Sequence, residues 1–247
     1  AGHGIAFEPN LSINEIMANA IRAVEHAIKA AKPDCAIVQG DTTSALAGAL
    51  AGFNAGVEVA HVEAGLRTWD KTQPFPEEMN RALIDQIADY LFCPTPETCE
   101  NLVGIINANR LHITGNTGID ALRIALKALG APKERGYKTI LVTAHRRENW
   151  EHMTEICHGI SQFAKADGGA HEIEFFTHMN PGIKKIIGEN LAGVDNVWLS
   201  PPHGYFVMVE NLRYASLVVT DSGGLQEEAA ALGVPCLVLR NVTERAA

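Results

Sequence analysis

The sequence predicts an α/β protein with two Rossmann-like domains, each built on an open parallel sheet. Short unbroken apolar runs, typical of strands covered on both faces, alternate with amphipathic helical stretches along the chain. The 247 residues, 47% of them hydrophobic, suffice for two cores. A stretch rich in glycine, proline and charge over 130–136 follows a finished helix, so we expect the domains to be 1–130 and 131–247.

In the first half, a helix is expected from Ser12, whose side chain can cap it together with Glu15, to about Ala31. The predicted strands are the apolar runs 35–39, 57–62, 90–93 and 111–114. The further predicted helices cover 44–54, 77–89, a short stretch after Pro96, and 117–129.

The second half repeats this alternation. Its predicted strands are 138–143, 172–177, 196–199, 217–220 and 235–239. Its predicted helices lie around 150–166, after Pro181, around 205–214 and from Leu225 onwards. The repeated alternation indicates a second Rossmann-like domain.

Composition and charge exclude several classes of function. A net charge of −9 argues against a general nucleic-acid surface. The five cysteines are scattered and never spaced C-x-x-C, so neither a zinc site nor a disulfide framework is expected, and no metal is predicted. No secretory leader opens the chain and no apolar run reaches the length of a membrane span, so we expect a cytoplasmic protein without a membrane partner.

Polar and ionisable residues follow the predicted strands, where open parallel sheets bind ligands. Asp41 could instead cap the next helix, and Glu63 could form a structural pair with Arg67. Glu77 could simply favour the helix dipole. Because Glu63 ends a strand and Glu77 opens a helix, their two carboxylates can converge on one cleft.

Two turns in the second half could bind phosphate. His145 stands beside two arginines, a combination suited to a diphosphate, although a solvated charged turn is the alternative. In 221–228 a strand ends, two glycines let backbone N–H groups approach a ligand, and a helix begins. The alternative is a tight strand-to-helix turn. The pattern is neither G-x-G-x-x-G nor a P-loop, so no dinucleotide or other cofactor is predicted.

Eight motifs occur in order, and they carry a family resemblance. They are 39–43 (QGDTT), 61–68 (HVEAGLRT), 76–81 (PEEMNR), 113–117 (ITGNT), 144–148 (AHRRE), 178–181 (HMNP), 221–228 (DSGGLQEE) and 243–245 (TER). From about residue 12 to 245 the sequence resembles the non-hydrolysing UDP-N-acetylglucosamine 2-epimerases. The resemblance implies a fold of the glycosyltransferase-B type with an interdomain cleft, a UDP-sugar substrate, no cofactor, a homodimer and a role in cell-surface polysaccharide biosynthesis.

The resemblance also implies roles for individual residues. The implied catalytic residues are Asp41, Glu63, Glu77 and His145. The implied UDP-binding residues are Ser222, Gly223, Gly224, Glu228 and Arg245, and the further candidates for substrate binding are Arg67, Arg81, Asn116 and Arg146. His203 and Met208 occupy base-side positions where the family would have a glutamine and an aromatic residue, so the resemblance does not define the contacts to uracil.

The residue types fit an elimination mechanism. The C2 hydrogen of the sugar is not next to a carbonyl and no nicotinamide fingerprint is present, so loss of UDP from C1 as a base removes the C2 proton is the expected route. Three alternatives stay open: a hydrolysing relative, an epimerase for a diacetamido uronic acid, and a non-catalytic UDP-sugar binder. We also expect the chain to be a piece of a longer family member, lacking a first strand and a closing segment, which would expose a sheet edge.

Overall fold

The computed structural model describes residues 11–132 and 136–245. The chain divides into two compact units, with the division between Asn116 and Thr117. Each unit has its own parallel sheet and its own buried core. The predicted α/β fold with two parallel sheets is therefore confirmed.

The first unit has four parallel strands in the spatial order β1-β2-β3-β4. In chain order its elements are α1 (Ile13–Ala31), β1 (Cys35–Gln39), α2 (Thr43–Asn54), β2 (Glu58–Val62), α3 (Glu77–Ile87), β3 (Tyr90–Cys93), α4 (Pro96–Glu100) and β4 (Leu111–Ile113). The capping box predicted for α1 is present, because Ser12 accepts the backbone N–H of Glu15 while the Glu15 carboxylate accepts that of Ser12.

The second unit has five parallel strands in the order β7-β6-β5-β8-β9. In chain order its elements are α5 (Thr117–Leu129), β5 (Lys138–Thr143), α6 (Met153–Asp167), β6 (His171–Phe176), α7 (Pro181–Leu191), β7 (Val197–Ser200), α8 (Tyr205–Leu212), β8 (Ala215–Thr220), α9 (Gly223–Ala231) and β9 (Cys236–Val238). The chain runs outward from β5 to β7 and then returns to β8 on the other side of β5. The strand order thus reverses between β5 and β8, which is where doubly wound sheets bind ligands.

The division between the units falls earlier than the sequence-based boundary at residue 130. Helix α5 lies in the second unit because its apolar face is buried there: Leu122 and Ala125 form a cluster with Val209 of α8. The Arg213 guanidinium also donates to the carbonyl of Gly130 at 2.8 Å, which holds the end of α5 to the same unit. The glycine- and proline-rich stretch therefore connects a helix and a strand within one unit.

Strand β1 lies at the edge of the first sheet. Among the described residues it pairs with β2 alone, and Ile37 at its centre is 71% exposed. A mainly apolar groove of about 490 Å³ lies between α1, β1 and α2. An unpaired strand edge of this kind is open to further strand pairing.

None of the helices in the described part of the chain combines the length and apolar character needed to cross a bilayer.

Candidate functional site

In the first unit, the turn after β1 carries Asp41 and the N-terminal half of α3 packs on it. The N-cap of α2 is Thr42, which accepts the N–H of Ala45, so Asp41 does not cap this helix. The Asp41 carboxylate instead pairs with Arg81 of α3 at 2.5 Å between Oδ2 and Nη2. Asn80 donates to the Asp41 carbonyl at 2.8 Å. The turn is therefore fixed to α3 through both its side chain and its backbone.

Glu63 follows β2 and faces the turn after β1. Its backbone has a φ of 73°, an unusual conformation for a residue other than glycine. A Cβ placed on Gly40 would lie 3.3 Å from the Glu63 carboxylate oxygen, so that carboxylate lies against the residue before Asp41. The structure thus brings Glu63 to the Asp41 turn, as the strand-end argument predicts.

Helix α3 begins at Glu77 and presents acidic residues in two directions. Glu77 is partly exposed, and its side chain forms no ion pair or hydrogen bond within the described residues. The next residue, Glu78, is 4% exposed and accepts the backbone N–H groups of Thr68 and Trp69 at 3.1 and 3.0 Å. Glu77 is therefore available to a ligand, whereas Glu78 holds the preceding loop.

Two of the arginines proposed to bind substrate, Arg67 and Arg81, belong to the first unit, and both are enclosed by it. The Arg67 guanidinium pairs with Asp85 at 2.6 Å, and its side chain is 5% exposed. Arg81 is 2% exposed and lies between the carboxylates of Asp41 and Glu78, 3.2 Å from the latter. Their closest described partners are thus protein carboxylates. Asn116, the remaining candidate in this unit, follows β4 at the end of the unit.

In the second unit, the turns after β5 and β8 meet where the strand order reverses. Asp221 is fully buried and accepts the backbone N–H groups of His145 and Arg146 at 2.9 and 2.8 Å. It also accepts the side-chain amide of Asn149 at 2.8 Å. One carboxylate therefore joins the His145 turn to the glycine turn at 222–224, and both lie at the position where a ligand is expected.

The imidazole of His145 sits beside other rings. Its centroid is 5.6 Å from that of His178, and Trp150 contacts His178 edge-on at 5.5 Å. Burial lowers the pKa of His145 below its usual value of 6.5, an effect that the Asp221 carboxylate opposes and His178 reinforces. The lowered pKa favours the neutral form of the His145 imidazole near neutral pH.

This shift in the pKa of His145 has a consequence for stability. The unfolded chain takes up a proton at His145 near pH 6.5, whereas the folded protein does so only at lower pH, so stability should fall as the pH drops below 6.5. Because His145 keeps contact with solvent, the effect should be small.

In a ¹H NMR titration we expect the His145 Cε1–H signal to have a midpoint below 6.5. In urea unfolding, His145→Gln should lose less stability than the wild type between about pH 7.5 and about pH 5.5. A midpoint at or above the usual value would contradict this expectation.

The N-terminus of α9 combines backbone donors with a cation. Ser222 is its N-cap, and Gly223 is its first residue. A Cβ on Gly223 would lie 2.9 Å from the guanidinium carbon of Arg245, so this arginine lies directly against the helix end and would have to shift if residue 223 carried a side chain. Arg245 is held there by Glu227, with 2.7 Å between Nε and Oε1. Backbone N–H groups and a guanidinium together suit an anionic ligand.

Glu228 lies one turn into α9 and is 9% exposed. The Tyr205 hydroxyl donates to its Oε1 at 2.9 Å. Burial raises the pKa of Glu228, although the bond from Tyr205 opposes this, and burial together with Glu228 raises the pKa of Tyr205 to about 12. Tyr205 therefore remains the donor and orients the Glu228 carboxyl.

The two base-side candidates have different surroundings. His203 is exposed and contacts the Phe176 ring edge-on at a centroid distance of 5.7 Å. Met208 packs against the core cluster that contains Phe176 and Leu212. Among the described residues, no group of three or more histidine, cysteine or acidic side chains is arranged to hold a metal ion.

Comparisons with known proteins identify the family. The family model described as UDP-N-acetylglucosamine 2-epimerase matches residues 3–247. A relative from Clostridium acetobutylicum is 40% identical over 244 residues, which make up 95% of this chain and 63% of that protein. The chain belongs to the UDP-N-acetylglucosamine 2-epimerase family. The resemblance of the eight ordered motifs to UDP-N-acetylglucosamine 2-epimerases is thereby confirmed.

Solved structures from the family agree with the fold. The UDP-GlcNAc 2-epimerase of Neisseria meningitidis, solved with bound UDP-GlcNAc, matches with a TM-score of 0.92 and 38% identity, over 97% of this chain and 68% of that chain. The Methanocaldococcus jannaschii UDP-GlcNAc 2-epimerase, in complex with UDP-GlcNAc and UDP, has a TM-score of 0.81 and 34% identity, over 96% of this chain and 68% of that chain. The chain thus spans about two thirds of the length of these family members.

Sequence reasoning did not predict the structural role of three buried acids, although Asp221 lies in the turn at 221–228 that it singled out. Glu78 and Asp85 of α3 and Asp221 after β8 each hold a neighbouring turn through two or more hydrogen bonds. For Glu78 and Asp85, the sequence did contain a signal. Residues 78, 81 and 85 have the spacing of one helix face, and a polar stripe on a helix that covers a sheet indicates buried charge pairs.

Proposed function

We propose that the protein interconverts UDP-N-acetylglucosamine and UDP-N-acetylmannosamine by inversion at C2. The observation that carries the proposal is that the turns of Asp41 and Glu63 lie together at the ends of adjacent strands, and that α3, which begins at Glu77, is joined to the Asp41 turn through Arg81 and Asn80. Membership of the family supports the choice of substrate, because the Neisseria meningitidis and Methanocaldococcus jannaschii members were solved with UDP-GlcNAc bound.

The reaction is proposed to proceed by elimination and re-addition of UDP. A carboxylate base removes the C2 proton, the C2–H electron pair forms a C1=C2 double bond, and the C1–O bond breaks with its electrons going to UDP. The intermediate is a 2-acetamidoglucal. A carboxylic acid then protonates C2 on the opposite face as a diphosphate oxygen bonds to C1. Each half-reaction needs one general acid–base group, so two carboxyl groups are required.

Roles follow for the residues of the first unit. Asp41 and Glu77 are proposed to exchange the C2 proton, because Arg81 orients the Asp41 carboxylate and Glu77 has no described partner within the protein. Glu63 is proposed to position the sugar or to assist proton transfer. Arg81 thereby has a supporting role behind Asp41.

The second unit is proposed to bind the UDP moiety. The backbone N–H groups at 222–224 and the Arg245 guanidinium suit the diphosphate, and the Glu228 carboxyl suits the ribose hydroxyls. His145 is proposed to donate a hydrogen bond to the departing phosphate. A homodimer is also proposed for the protein.

Turnover in heavy water tests this proposal. UDP-N-acetylglucosamine incubated with the protein should yield UDP-N-acetylmannosamine carrying deuterium at C2, seen by ¹H and ³¹P NMR. Asp41→Asn should abolish the exchange, whereas Asp120→Asn, an equivalent change at an exposed position on α5, should preserve it.

Other outcomes identify the alternatives. Product without deuterium contradicts elimination, and release of free N-acetylmannosamine identifies a hydrolysing enzyme. Turnover only of a diacetamido uronic acid UDP-sugar identifies a different substrate. Binding of UDP by the folded protein without turnover identifies a UDP-sugar binder.

A further inference from the structure

Asp85 is a fully buried acid on the last turns of α3, and the proposed chemistry does not use it directly. Its Oδ1 lies 2.5 Å from Nδ1 of His61, and its Oδ2 lies 2.6 Å from Nη2 of Arg67. The backbone N–H of Gly65 also donates to Oδ2 at 3.3 Å. One carboxylate thus receives donors from β2 and from the loop that follows it.

His61 links Asp85 to the Asp41 turn, because its second ring nitrogen contacts that turn. The ring is fully buried on β2, and its Nε2 lies 2.9 Å from the carbonyl oxygen of Gly40. A carbonyl oxygen only accepts, so Nε2 donates to it. The imidazole therefore connects the Asp85 carboxylate to the residue immediately before Asp41.

Gly65 links Asp85 to the turn that contains Glu63. Gly65 has a φ of 81°, and a Cβ there would lie 2.1 Å from the Thr98 carbonyl oxygen, so its backbone must approach α4 closely. The side chain of Asn101 donates to the Gly65 carbonyl at 3.0 Å. With its N–H held by Asp85, Gly65 is fixed on both sides, two residues after Glu63.

Glu63 needs such support. Its left-handed backbone conformation is unfavourable for a residue other than glycine and persists only where the surroundings enforce it. The N–H groups of Glu63 and Ala64 both donate to the Phe92 carbonyl at 3.1 Å, and Asp85 holds the next residue. Glu63 therefore stays in place through contacts on both β3 and α3.

We propose that Asp85 is a positioning residue that holds the turns of Asp41 and Glu63 in register with each other. The inference rests on the proposed function. The two turns follow adjacent strands, and Asp85 is the group that contacts one through His61 and the other through Gly65. Because a displacement of about 1 Å at a reacting group can cost about a hundredfold in rate, such a connection matters for the chemistry.

Asp85→Asn tests the proposal, since it preserves shape but turns one oxygen into a donor that faces His61 or Arg67. We expect its kcat to fall by about ten- to a hundredfold while KM and the Kd for UDP change by less than about threefold. The matched control is Asp89→Asn, just beyond α3. Asp89 is exposed and accepts the Val59 N–H, which an asparagine oxygen can also accept, so this variant should retain wild-type kinetics.

A double-mutant cycle with His61→Gln separates positioning from general loss of stability. If both residues act through one connection, the double variant should lose no more kcat than the worse single variant. A kcat for Asp85→Asn within about twofold of the control would overturn the proposal, as would additive losses that follow the fraction of folded protein.

A second readout does not need activity. In the ligand-free protein, Asp85→Asn should shift the backbone amide signals of Asp41 and Glu63 in ¹H–¹⁵N NMR spectra, and Asp89→Asn should not. If the wild-type chain shows no turnover, the proposed epimerisation fails by itself. The positioning claim is then decided by these signals, and unchanged positions for both amides would overturn it.

Discussion

Replacing Arg81 with methionine should lower the free energy of unfolding by about 3 to 5 kcal/mol, because the change removes one partner from a buried charge group. The Arg81 side chain is 2% exposed and lies 2.5 Å from Asp41 and 3.2 Å from Glu78. Methionine fills most of the space but leaves Glu78, 5% exposed at its side chain, without its cation. Urea unfolding should show a lower midpoint at an unchanged slope.

The matched control for this variant is Arg123→Met. Arg123 also pairs with an acid three residues away, but the pair with Asp120 is 3.7 Å long and both side chains are at least 70% exposed. An exposed pair contributes little, so the midpoint should barely move. Equal shifts for the two variants would show that the position of Arg81 between two carboxylates has no energetic importance.

Asp221→Ala should destabilise the second unit by about 3 kcal/mol or more, since the variant leaves several buried donors without an acceptor. The donors are the backbone N–H groups of His145 and Arg146 and the side-chain amide of Asn149, all within 3.0 Å of the carboxylate. The measurement is the urea midpoint, together with the Kd for UDP. UDP binding should weaken because the His145 turn and the glycine turn are no longer joined.

The control for Asp221 is Asp195→Ala, a loss of the same carboxylate at an exposed position before β7. Its unfolding midpoint and its Kd for UDP should stay close to those of the wild type. If Asp221→Ala retained wild-type stability, water would have to satisfy the three donors, and the carboxylate would have no structural role at this turn.

The sequence was sufficient to predict the order of strands and helices, since buried parallel strands are short and apolar and the helices between them are amphipathic. It was not sufficient to assign α5. The periodicity of α5 shows that one face is apolar but not which sheet that face covers, and the structure buries Leu122 and Ala125 against α8. The boundary predicted from loop composition therefore lies one helix further along the chain than the division between the two units.

A similar limit applies to the site. Residues at strand ends, such as Asp41, Glu63 and His145, were found because topology alone brings them to one edge of a sheet. The side chains that hold them, such as Asp85 and Asp221, are recognised only once their burial is known. Sequence shows that residue 221 is ionisable, whereas the backbone N–H of His145 that Asp221 accepts lies 76 residues away along the chain.

The arrangement of α3 limits which insertions and deletions this region can accept. Glu77 and Glu78 stand before Arg81 and Asp85 on one helix. Glu78 holds the loop at Thr68, Arg81 pairs with Asp41, and Asp85 contacts His61. Deleting one residue between the two pairs would rotate the later pair by about 100° relative to the earlier one, because an α-helix has 3.6 residues per turn. Homologous chains should therefore vary in length in the exposed loop around 70–73 and keep the interval from 77 to 85 constant.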